Sequence, residues 1–386
     1  MTEVKVAHRA AERVASGHPW IYASDVIGPR EIAPGSVVRV VDPQRKMLGS
    51  FHYSSKSQIA LRQLSSGAET VDAAFFRSRL EQAEAFRREV VSNTSAYRLV
   101  HGEADLLPAL VVDRYQDCFV LQTLSQGMEA AKSQIGEALQ TLFSPVAILE
   151  RNDTAVRARE GLEAVAGVLR GEAPDPVEFQ MNGLRWGARL LSGQKTGVFL
   201  DQRENYLAAR RFARGSVLDC FTYTGGFALH LAAAGLGVEA VDSSAEALET
   251  ARQNAARNGL AGVEFRQADV FELLAGYGAA GRRFDAVILD PPAFARSRSH
   301  LEAACRHYQE LNRRALRLLE RGGVLLTCSC SHHLSEAQLL ELVAQAALDA
   351  GRRLRVLERR TQSLDHPILL TVPETHYLKC LILQVV

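Results

Sequence analysis

The chain has 386 residues, too many for one ordinary hydrophobic core, so we expect two or three domains. Its 45 Lys and Arg residues nearly balance 44 Asp and Glu residues, so bulk charge does not indicate a nucleic-acid partner. Six cysteines are too sparse for a secreted disulfide framework. The first residues lack a signal peptide's apolar core, and no apolar run approaches the roughly twenty residues of a membrane span. We therefore expect a soluble, cytoplasmic protein.

The first 71 residues are predicted to form one small domain. They consist of short apolar runs separated by turn residues, a pattern typical of a small β-barrel or sandwich. Residues 1–70 hold nine Lys or Arg against six Asp or Glu. Trp20 lies beside a Gly-His-Pro turn, where it is a candidate surface for stacking RNA bases. The alternative is that Trp20 fills the interior of the barrel.

We assign residues 72–175 to a small α+β middle domain. A helical spacing of apolar residues begins at Asp72, and a hairpin, a second helix over 128–143 and a strand over 146–150 follow. Two prolines within residues 171–176 indicate a hinge. A further single strand is predicted over 179–186.

From residue 176 to the end, strands and helices alternate, which predicts an α/β domain with a doubly wound, largely parallel sheet. The predicted strands are 217–218, 238–241, 263–265, 286–289, 324–327, 354–357 and 377–385. The clearest helices are predicted over 245–258 and 300–319. Ligands of such sheets bind at the carboxyl ends of the strands.

Several polar residues follow these predicted strands, so they should share one edge of the sheet. They are Asp219, Asp242, Asp269, Asp290 and Cys330. Asp242 is suited to accept hydrogen bonds from ribose hydroxyls, and Asp269 from an adenine amino group. The glycine pattern is not that of a dinucleotide site. A single Asp could simply cap the helix that follows it, but the whole series favours a nucleoside site.

Two motifs carry a resemblance to a known family. The first is Asp219-x-Phe221-x-Tyr223-Thr224-Gly225-Gly226-Phe227, in which the glycines are expected to let the backbone approach a ligand. The second is Asp290-Pro291-Pro292-x-Phe294. Together they resemble class I S-adenosylmethionine-dependent methyltransferases that act on RNA. The segments 193–205 and 328–331 narrow the resemblance to the RlmI-type 23S ribosomal RNA 5-methylcytosine methyltransferases.

The resemblance covers nearly the whole chain and implies an N-terminal PUA RNA-binding domain, a linking domain and a Rossmann-like catalytic domain. S-Adenosyl-L-methionine is the implied cofactor, with no metal. The implied cofactor-binding residues are Lys195, Phe199, Asp201, Arg203, Asp219, Phe221, Tyr223, Thr224, Gly225, Gly226, Asp242, Ser243, Asp269, Asp290 and Pro291. The expected substrate-binding residues are Pro292, Phe294 and Trp20. The expected partner is 23S ribosomal RNA or a partly assembled large subunit, and a homodimer is possible.

Carbon 5 of cytosine is a poor nucleophile, so its methylation requires a thiolate to add first to carbon 6. Cys330 matches the family's nucleophile, and Cys328 is interpreted as a core residue. Asp290 is expected to help hold the target base. We expect Glu374 to be the base that removes the carbon 5 proton, with His366 as the second candidate. Glu374 could equally serve only as a cap or an ion-pair partner.

Two other functions remain open at this point. Asp-Pro-Pro motifs also occur in amino-group methyltransferases, so RNA guanine or adenine N-methylation is one alternative. A non-catalytic RNA-binding factor for ribosome assembly is the other.

The middle segment from Arg98 to Tyr115 is similar to a signature of the same family. That signature usually has a glycine between Asp105 and Pro108, where this chain has Leu106 and Leu107. The difference concerns the shape of a turn and not the chemistry.

Overall fold

The computed structural model describes residues 1–28, 31–67, 69–191, 197–294 and 300–386. The chain forms two compact units. The first contains Met1–Gln180, Ala188–Gly197 and Leu364–Thr375, and the second contains Met181–Gly187, Val198–Ser363 and His376–Val386. None of the helices in these described ranges is long and apolar enough to cross a membrane.

The first unit begins with a six-stranded sheet. Its elements are β1 (Glu3–Val6), α1 (His8–Ala15), β2 (Trp20–Tyr22), β3 (Val26–Ile27), β4 (Val37–Val41), β5 (Met47–Tyr53) and β6 (Ile59–Ser65). The strand order is β2-β6-β5-β4-β1-β3, in which only the pairing of β1 with β4 is parallel. Alternate apolar residues such as Val38, Phe51 and Leu61 form a buried core, as a small β domain requires.

A five-stranded sheet follows in the same unit. Its elements are α2 (Ala73–Val90), β7 (Ala96–His101), β8 (Leu110–Tyr115), β9 (Cys118–Thr123), α3 (Gln126–Ala130), α4 (Lys132–Phe143), β10 (Ala147–Asn152), α5 (Val156–Glu160) and β11 (Val165–Gly171). The order is β11-β10-β9-β8-β7. Apolar residues of α2, including Phe76 and Leu80, are buried with those of the sheet. The predicted α+β character of this segment is therefore observed.

The turn between β7 and β8 explains the glycine that the family signature usually carries. Leu106 has a φ of 56°, in the left-handed region that glycine adopts without a steric penalty. Its side chain is 47% exposed. Charged residues of the signature form ion pairs around this turn: Asp105 pairs with Arg87 of α2, and Arg98 pairs with Asp113. The signature therefore has an architectural role.

The prediction of one strand over 179–186 is wrong. Two strands occupy the region, β12 (Val177–Met181) and β13 (Leu184–Ala188). Asn182 and Gly183 between them both have positive φ values, 54° and 81°. An Asn-Gly pair is the sequence signal for such a tight hairpin turn, and it was present in the sequence.

The second unit contains the doubly wound domain. Its elements are α6 (Arg203–Phe212), β14 (Ser216–Cys220), α7 (Gly226–Ala232), β15 (Gly237–Asp242), α8 (Ala245–Arg257), β16 (Val263–Gln267), α9 (Val270–Ala279), β17 (Phe284–Leu289), α10 (Leu301–Arg317), β18 (Leu319–Ser329), α11 (Glu336–Asp349), β19 (Leu354–Arg360) and β20 (Lys379–Val385). All seven predicted strands and both predicted helices are present, with shifts at their ends. The division into three domains, at the boundaries proposed from sequence, stays a prediction.

The seven strands are ordered β16-β15-β14-β17-β18-β20-β19. Strands β14 to β18 are mutually parallel, whereas β20 runs antiparallel to both of its neighbours. The chain builds outward from β14 in one direction and then returns to build from β17 in the other. Such a reversal opens a crevice at the carboxyl ends of the two central strands, where ligands of this fold bind.

Candidate cofactor and nucleophile site

The strand register brings the sequence-predicted residues to one edge. Cys220 pairs with Val241 on one side and with Leu289 on the other, so Asp242 and Asp290 each follow a residue level with the end of β14. Strand β18 extends to Ser329, two residues beyond the predicted end, and Cys330 follows immediately. The carboxyl edge of the second unit therefore carries the two acids and the thiol.

The turn after β14 is held in an unusual backbone conformation. Phe221, Tyr223 and Gly225 have φ values of 64°, 52° and 94°. The backbone N–H of Tyr223 donates to Oδ2 of Asp242 at 2.9 Å, and Thr222 N–H donates to the Val241 carbonyl at 3.0 Å. Asp242 thus anchors the turn and stays partly exposed, while buried Thr224 lies within it.

The two glycines of this turn have different neighbours. A Cβ on Gly226 would lie 2.4 Å from the hydroxyl of Tyr206, so packing within the protein already requires a glycine there. Gly225 needs its glycine for another reason, because its positive φ disfavours a side chain. The binding of cofactor by either residue stays a prediction.

Asp219 is fully buried on β14. Its Oδ2 accepts hydrogen bonds from the Thr222 hydroxyl at 2.6 Å and from the Ala228 N–H at 3.0 Å. Its Oδ1 has no partner among the described residues. Burial, with the nearby Asp290 carboxyl adding to the effect, raises the pKa of Asp219 to about 7. This carboxyl group is therefore poised between its neutral and charged forms near neutral pH.

The segment before α6 packs against the turn after β14. The ring of Phe199 meets that of Tyr223 edge to face, with centroids 5.0 Å apart. Asp201 is buried and accepts a hydrogen bond from the Tyr377 hydroxyl at 2.7 Å. Arg203 is also buried, and its side chain pairs with Glu204 at 3.3 Å. Lys195, predicted in the same loop, lies outside the described residues.

The remaining predicted cofactor residues follow β15 and β16. Ser243 is exposed directly after Asp242. Asp269 is exposed and caps α9, because its Oδ1 accepts the Glu272 N–H at 3.0 Å. The capping alternative considered for Asp269 is therefore observed, and its binding of adenine stays a prediction.

The carboxylate of Asp290 is hydrogen-bonded to a pair of linked amide side chains. Gln202 donates through Nε2 to Oδ1 of Asp290 at 2.9 Å, and Asn205 donates to Oε1 of Gln202 at 2.6 Å. Both amides are buried, so these two hydrogen bonds fix the orientation of the Asp290 carboxylate. Sequence analysis missed Gln202, although it lies within the 193–205 segment.

The residues after Asp290 differ in exposure. Pro291 is buried and Pro292 is exposed. The ring of Phe294 lies 4.9 Å from that of Tyr308 and 5.7 Å from that of His307, in a partly buried aromatic group. Phe294 is therefore already packed against protein, and its stacking on a substrate base stays a prediction.

The two cysteines of β18 have distinct surroundings. Cys330 is partly exposed, whereas Cys328 is fully buried, as the core interpretation predicted. Burial, together with a hydrogen bond to Cys380, raises the pKa of the Cys328 thiol well above its ordinary value. On both sides of Cys330, Ser329 and Ser331 bond to the hydroxyl of Tyr308, at 2.9 and 3.1 Å. The backbone around Cys330 is thereby held to α10.

Lys379 is a site residue that sequence analysis missed. It is 4% exposed on β20, and its Nζ donates to the carbonyls of Ser331 and Tyr377 at 2.7 and 2.8 Å. Burial lowers its pKa to about 8, although the neighbouring Cys330 and Glu336 oppose that change. No local sequence pattern distinguishes this lysine, because only the pairing of β20 with β18 places it there.

Three predicted residues lie in the first unit. Glu374 pairs with His18 at 3.3 Å, so the alternative of an ion-pair role is observed. His366 is buried beside Asp365. Trp20 is half-buried, and its indole N–H donates to Glu103 at 2.9 Å. The predicted roles of Glu374 as a base and of Trp20 as a stacking surface remain predictions.

Comparisons with known proteins agree with this architecture. Residues 4–66 match a family model for a PUA-like domain, and residues 98–382 match one for an S-adenosylmethionine-dependent methyltransferase. The chain is 42% identical over 378 residues to the Ribosomal RNA large subunit methyltransferase I of Shewanella denitrificans, with 95% of each chain covered. The protein of that name from Klebsiella pneumoniae is 43% identical over 371 residues, or 94% of this chain and 93% of the relative.

Solved structures show the same fold. A crystal structure of a methyltransferase complexed with SAH has a TM-score of 0.86 with 21% identity, and it covers 100% of both chains. A SAM-dependent methyltransferase from Streptococcus mutans has a TM-score of 0.84 with 20% identity, again over 100% of both chains. The predicted fold class, a PUA-like domain with a Rossmann-like methyltransferase domain, is confirmed.

The donor set suits the cofactor of this family. Asp242 offers a partly exposed carboxylate at the end of β15, and the turn at Gly225 presents backbone beside the crevice. Oδ1 of Asp219, which has no hydrogen-bond partner among the described residues, adds an acceptor at the same edge. With its two matched domains and its identity to curated relatives over nearly its whole length, the chain belongs to the S-adenosylmethionine-dependent ribosomal RNA large subunit methyltransferase I family.

Proposed function

We propose that this protein transfers a methyl group from S-adenosylmethionine to carbon 5 of a cytosine in 23S ribosomal RNA, with Cys330 as the nucleophile. The observation that carries the proposal is the position of Cys330. It is a partly exposed thiol that directly follows β18, on the same sheet edge as Asp290 and Asp242. The names of the curated relatives support ribosomal RNA as the substrate class.

The chemistry of carbon 5 explains the need for a thiol. Addition of the Cys330 thiolate to carbon 6 places electron density on carbon 5, which then attacks the methyl group of the sulfonium. Loss of the carbon 5 proton restores the double bond between carbons 5 and 6 and expels the thiolate. Glu374 remains the proposed acceptor of that proton, with His366 as the second candidate.

The rigid support of Asp290 fits a role in holding the base. Its Oδ1 is bound by Gln202, so the carboxylate orientation is set before substrate arrives. Exposed Pro292 and partly buried Phe294 follow it on the chain and would meet a base flipped out of its helix. Trp20, in the PUA-like domain, is proposed to stack on an RNA base other than the target cytosine.

Replacement of Cys330 by Ala tests the proposal. We expect methyl transfer to fall by at least about a thousandfold, because loss of a nucleophile removes the covalent pathway. Cofactor affinity should be retained. Replacement of Cys305, the other partly buried thiol, by Ser is the matched control and should keep activity. Full activity of the Cys330→Ala variant would overturn the mechanism.

The N-methylation alternative and the non-catalytic alternative give different products. Mass spectrometry of nucleosides from ribosomal RNA, compared between a deletion strain and its parent, locates the methyl group on carbon or on nitrogen. A methyl on an exocyclic nitrogen would favour the Asp290-Pro-Pro alternative, and an unchanged nucleoside pool would favour an assembly factor. The same RNA identifies the modified position. Sedimentation analysis of the purified chain tests the homodimer.

A further inference from the structure

We propose that Lys379 is a positioning residue that holds Cys330 in its thiolate form by placing a buried ammonium group beside the sulfur. The inference rests on the proposed function, in which Cys330 attacks the base. Lys379 lies opposite Ser329 in the antiparallel pairing of β18 with β20, and Cys330 is the next residue. The cross-strand pairing thus places a lysine beside the nucleophile's backbone.

The hydrogen bonds of Lys379 leave part of the ammonium group unused. Nζ carries three donors, and two of them bind the carbonyl oxygens of Ser331 and Tyr377. Neither carbonyl bears a full negative charge. A 4% exposed cation bound only to neutral acceptors is unfavourable without an anion nearby. Among the described residues, neither hydrogen-bond acceptor of Nζ is charged, so the third donor suits a thiolate.

Two ionisable groups act on Lys379, namely Cys330 and Glu336. Glu336 lies at the start of α11, where its carboxylate already pairs with Arg359. Cys330 is the other of these two groups, and it would supply the negative charge when it ionises. The same geometry fixes the position of the thiol, because Lys379 holds the carbonyl of Ser331, the next residue along the chain.

Tyr308, which also lies near Cys330 among the described residues, does not supply such a cation. Tyr308 on α10 bonds to Ser329 and Ser331, and burial raises its pKa to about 12, so it stays neutral. His332 follows Ser331 and packs against the ring of Tyr377 at 5.6 Å. A cation within a few ångströms lowers a thiol pKa by about 1–3 units. Among the described residues, Lys379 is a buried cation placed to do this.

The benefit to the reaction is a larger fraction of reactive sulfur. An ordinary thiol has a pKa of about 8.5, so only a few per cent is thiolate at neutral pH. When Sγ adds to carbon 6, its negative charge moves onto the base; when the bond breaks, the charge returns to sulfur beside the ammonium. Lys379 forms no bond to substrate in either step and neither gains nor loses a proton.

The rate of alkylation of Cys330 by iodoacetamide, followed by peptide mass spectrometry across a pH series, tests the proposal. The full-length Cys305→Ser protein is the background, since the other four cysteines are buried. With Lys379 in place, the midpoint of the alkylation rate against pH should lie below the ordinary thiol pKa of about 8.5. In Lys379→Met the midpoint should rise by about 1–3 units, with alkylation about tenfold slower or more at neutral pH. Lys379→Arg, which keeps the charge, should retain most of the shift.

An unchanged midpoint in a folded Lys379→Met protein would overturn the proposal. Should that variant fail to fold, a midpoint at the ordinary thiol value in the Lys379 protein overturns it without any substitution at this position. A purely structural lysine would slow methylation in Lys379→Met without moving the midpoint. The outcome also separates this inference from the proposed function. Full methylation by Cys330→Ala refutes the nucleophile, whereas the alkylation midpoint reports the effect of Lys379 on the thiol in either case.

Discussion

At the scale of single residues, Asp219 carries an energetic cost that changes with pH. Its carboxyl group is fully buried, and its pKa in the folded protein is raised to about 7 from an ordinary value of 3.8. Between those values the folded state binds more protons than the unfolded state does. The free energy of unfolding therefore decreases as the pH rises through this window, and it stays reduced above pH 7.

Replacement of Asp219 by Asn should remove this dependence. Above pH 7 we expect the free energy of unfolding to rise by up to about 4 kcal/mol, because the buried charge is absent. The gain should shrink as the pH falls toward the ordinary carboxyl pKa. Urea denaturation across a pH series measures it. Asp269→Asn is the control, since Asp269 is exposed and Asn caps a helix equally well. A gain that is the same at every pH would contradict the assignment.

Cys330 and Lys379 differ in how well their positions can be predicted from the sequence. The position of Cys330 follows from local order, because a residue that comes directly after a parallel strand must lie at its carboxyl edge. Lys379 could not be anticipated in this way. It lies at the start of the final strand, and the antiparallel pairing with β18 brings it next to Cys330, the proposed nucleophile.

At the scale of elements, the contact between α6 and α7 depends on one glycine. Tyr206 of α6 is fully buried, and its hydroxyl donates to the Phe199 carbonyl at 3.2 Å. The hydroxyl and the adjoining ring carbons of Tyr206 occupy the space in which a Cβ of Gly226 would lie. The motif after β14 therefore serves helix packing as well as any ligand.

Gly226→Ala should lower the free energy of unfolding by about 1–3 kcal/mol, because the added methyl group would overlap the buried Tyr206 side chain. Gly276→Ala is the matched control. Gly276 lies within α9 with no atom near its Cβ position, so alanine should raise stability by up to about 1 kcal/mol through helix propensity. Denaturant titration compares the two variants. Equal effects of the same sign would show that packing at Tyr206 is not responsible.

The strand boundaries show where local patterns mislead. A single strand was predicted over 179–186, but the Asn182-Gly183 turn divides the region into two strands. Strand β18 is longer than its apolar run because Ser329 is held in the ladder opposite Lys379. In these two cases a turn and the hydrogen bonding between strands, and not the hydrophobic pattern, set the strand boundaries.

At the scale of the whole molecule, the net formal charge is only +1, so RNA binding depends on where the cations lie. The first 70 residues carry a local excess of Lys and Arg over Asp and Glu. Several of these cations are exposed on β4 and the following turn, among them Arg39, Arg45 and Lys46. This patch of the PUA-like domain is suited to phosphate contacts.

Arg39→Ala should weaken RNA binding and reduce its dependence on salt. Loss of one phosphate contact lowers the slope of log affinity against log salt by about 0.7–0.9. Fluorescence anisotropy with a ribosomal RNA fragment at several salt concentrations measures the slope. Arg252→Ala is the control, because Arg252 lies on α8 and pairs with Glu249 at 3.6 Å. The same loss of slope in both variants would refute a role for the patch.

Local patterns of the sequence, namely alternating strands and helices and the acids that follow strands, were enough to indicate the fold class and a nucleoside site. The resemblance of its motifs to a known family supplied the cofactor and the candidate nucleophile. The supporting contacts depend on the tertiary structure, including the link from Gln202 to Asp290, the Tyr206 ring against Gly226 and the pairing of Lys379 opposite Ser329, next to Cys330. These contacts join residues 88, 20 and 50 positions apart, respectively, so no local pattern encodes them.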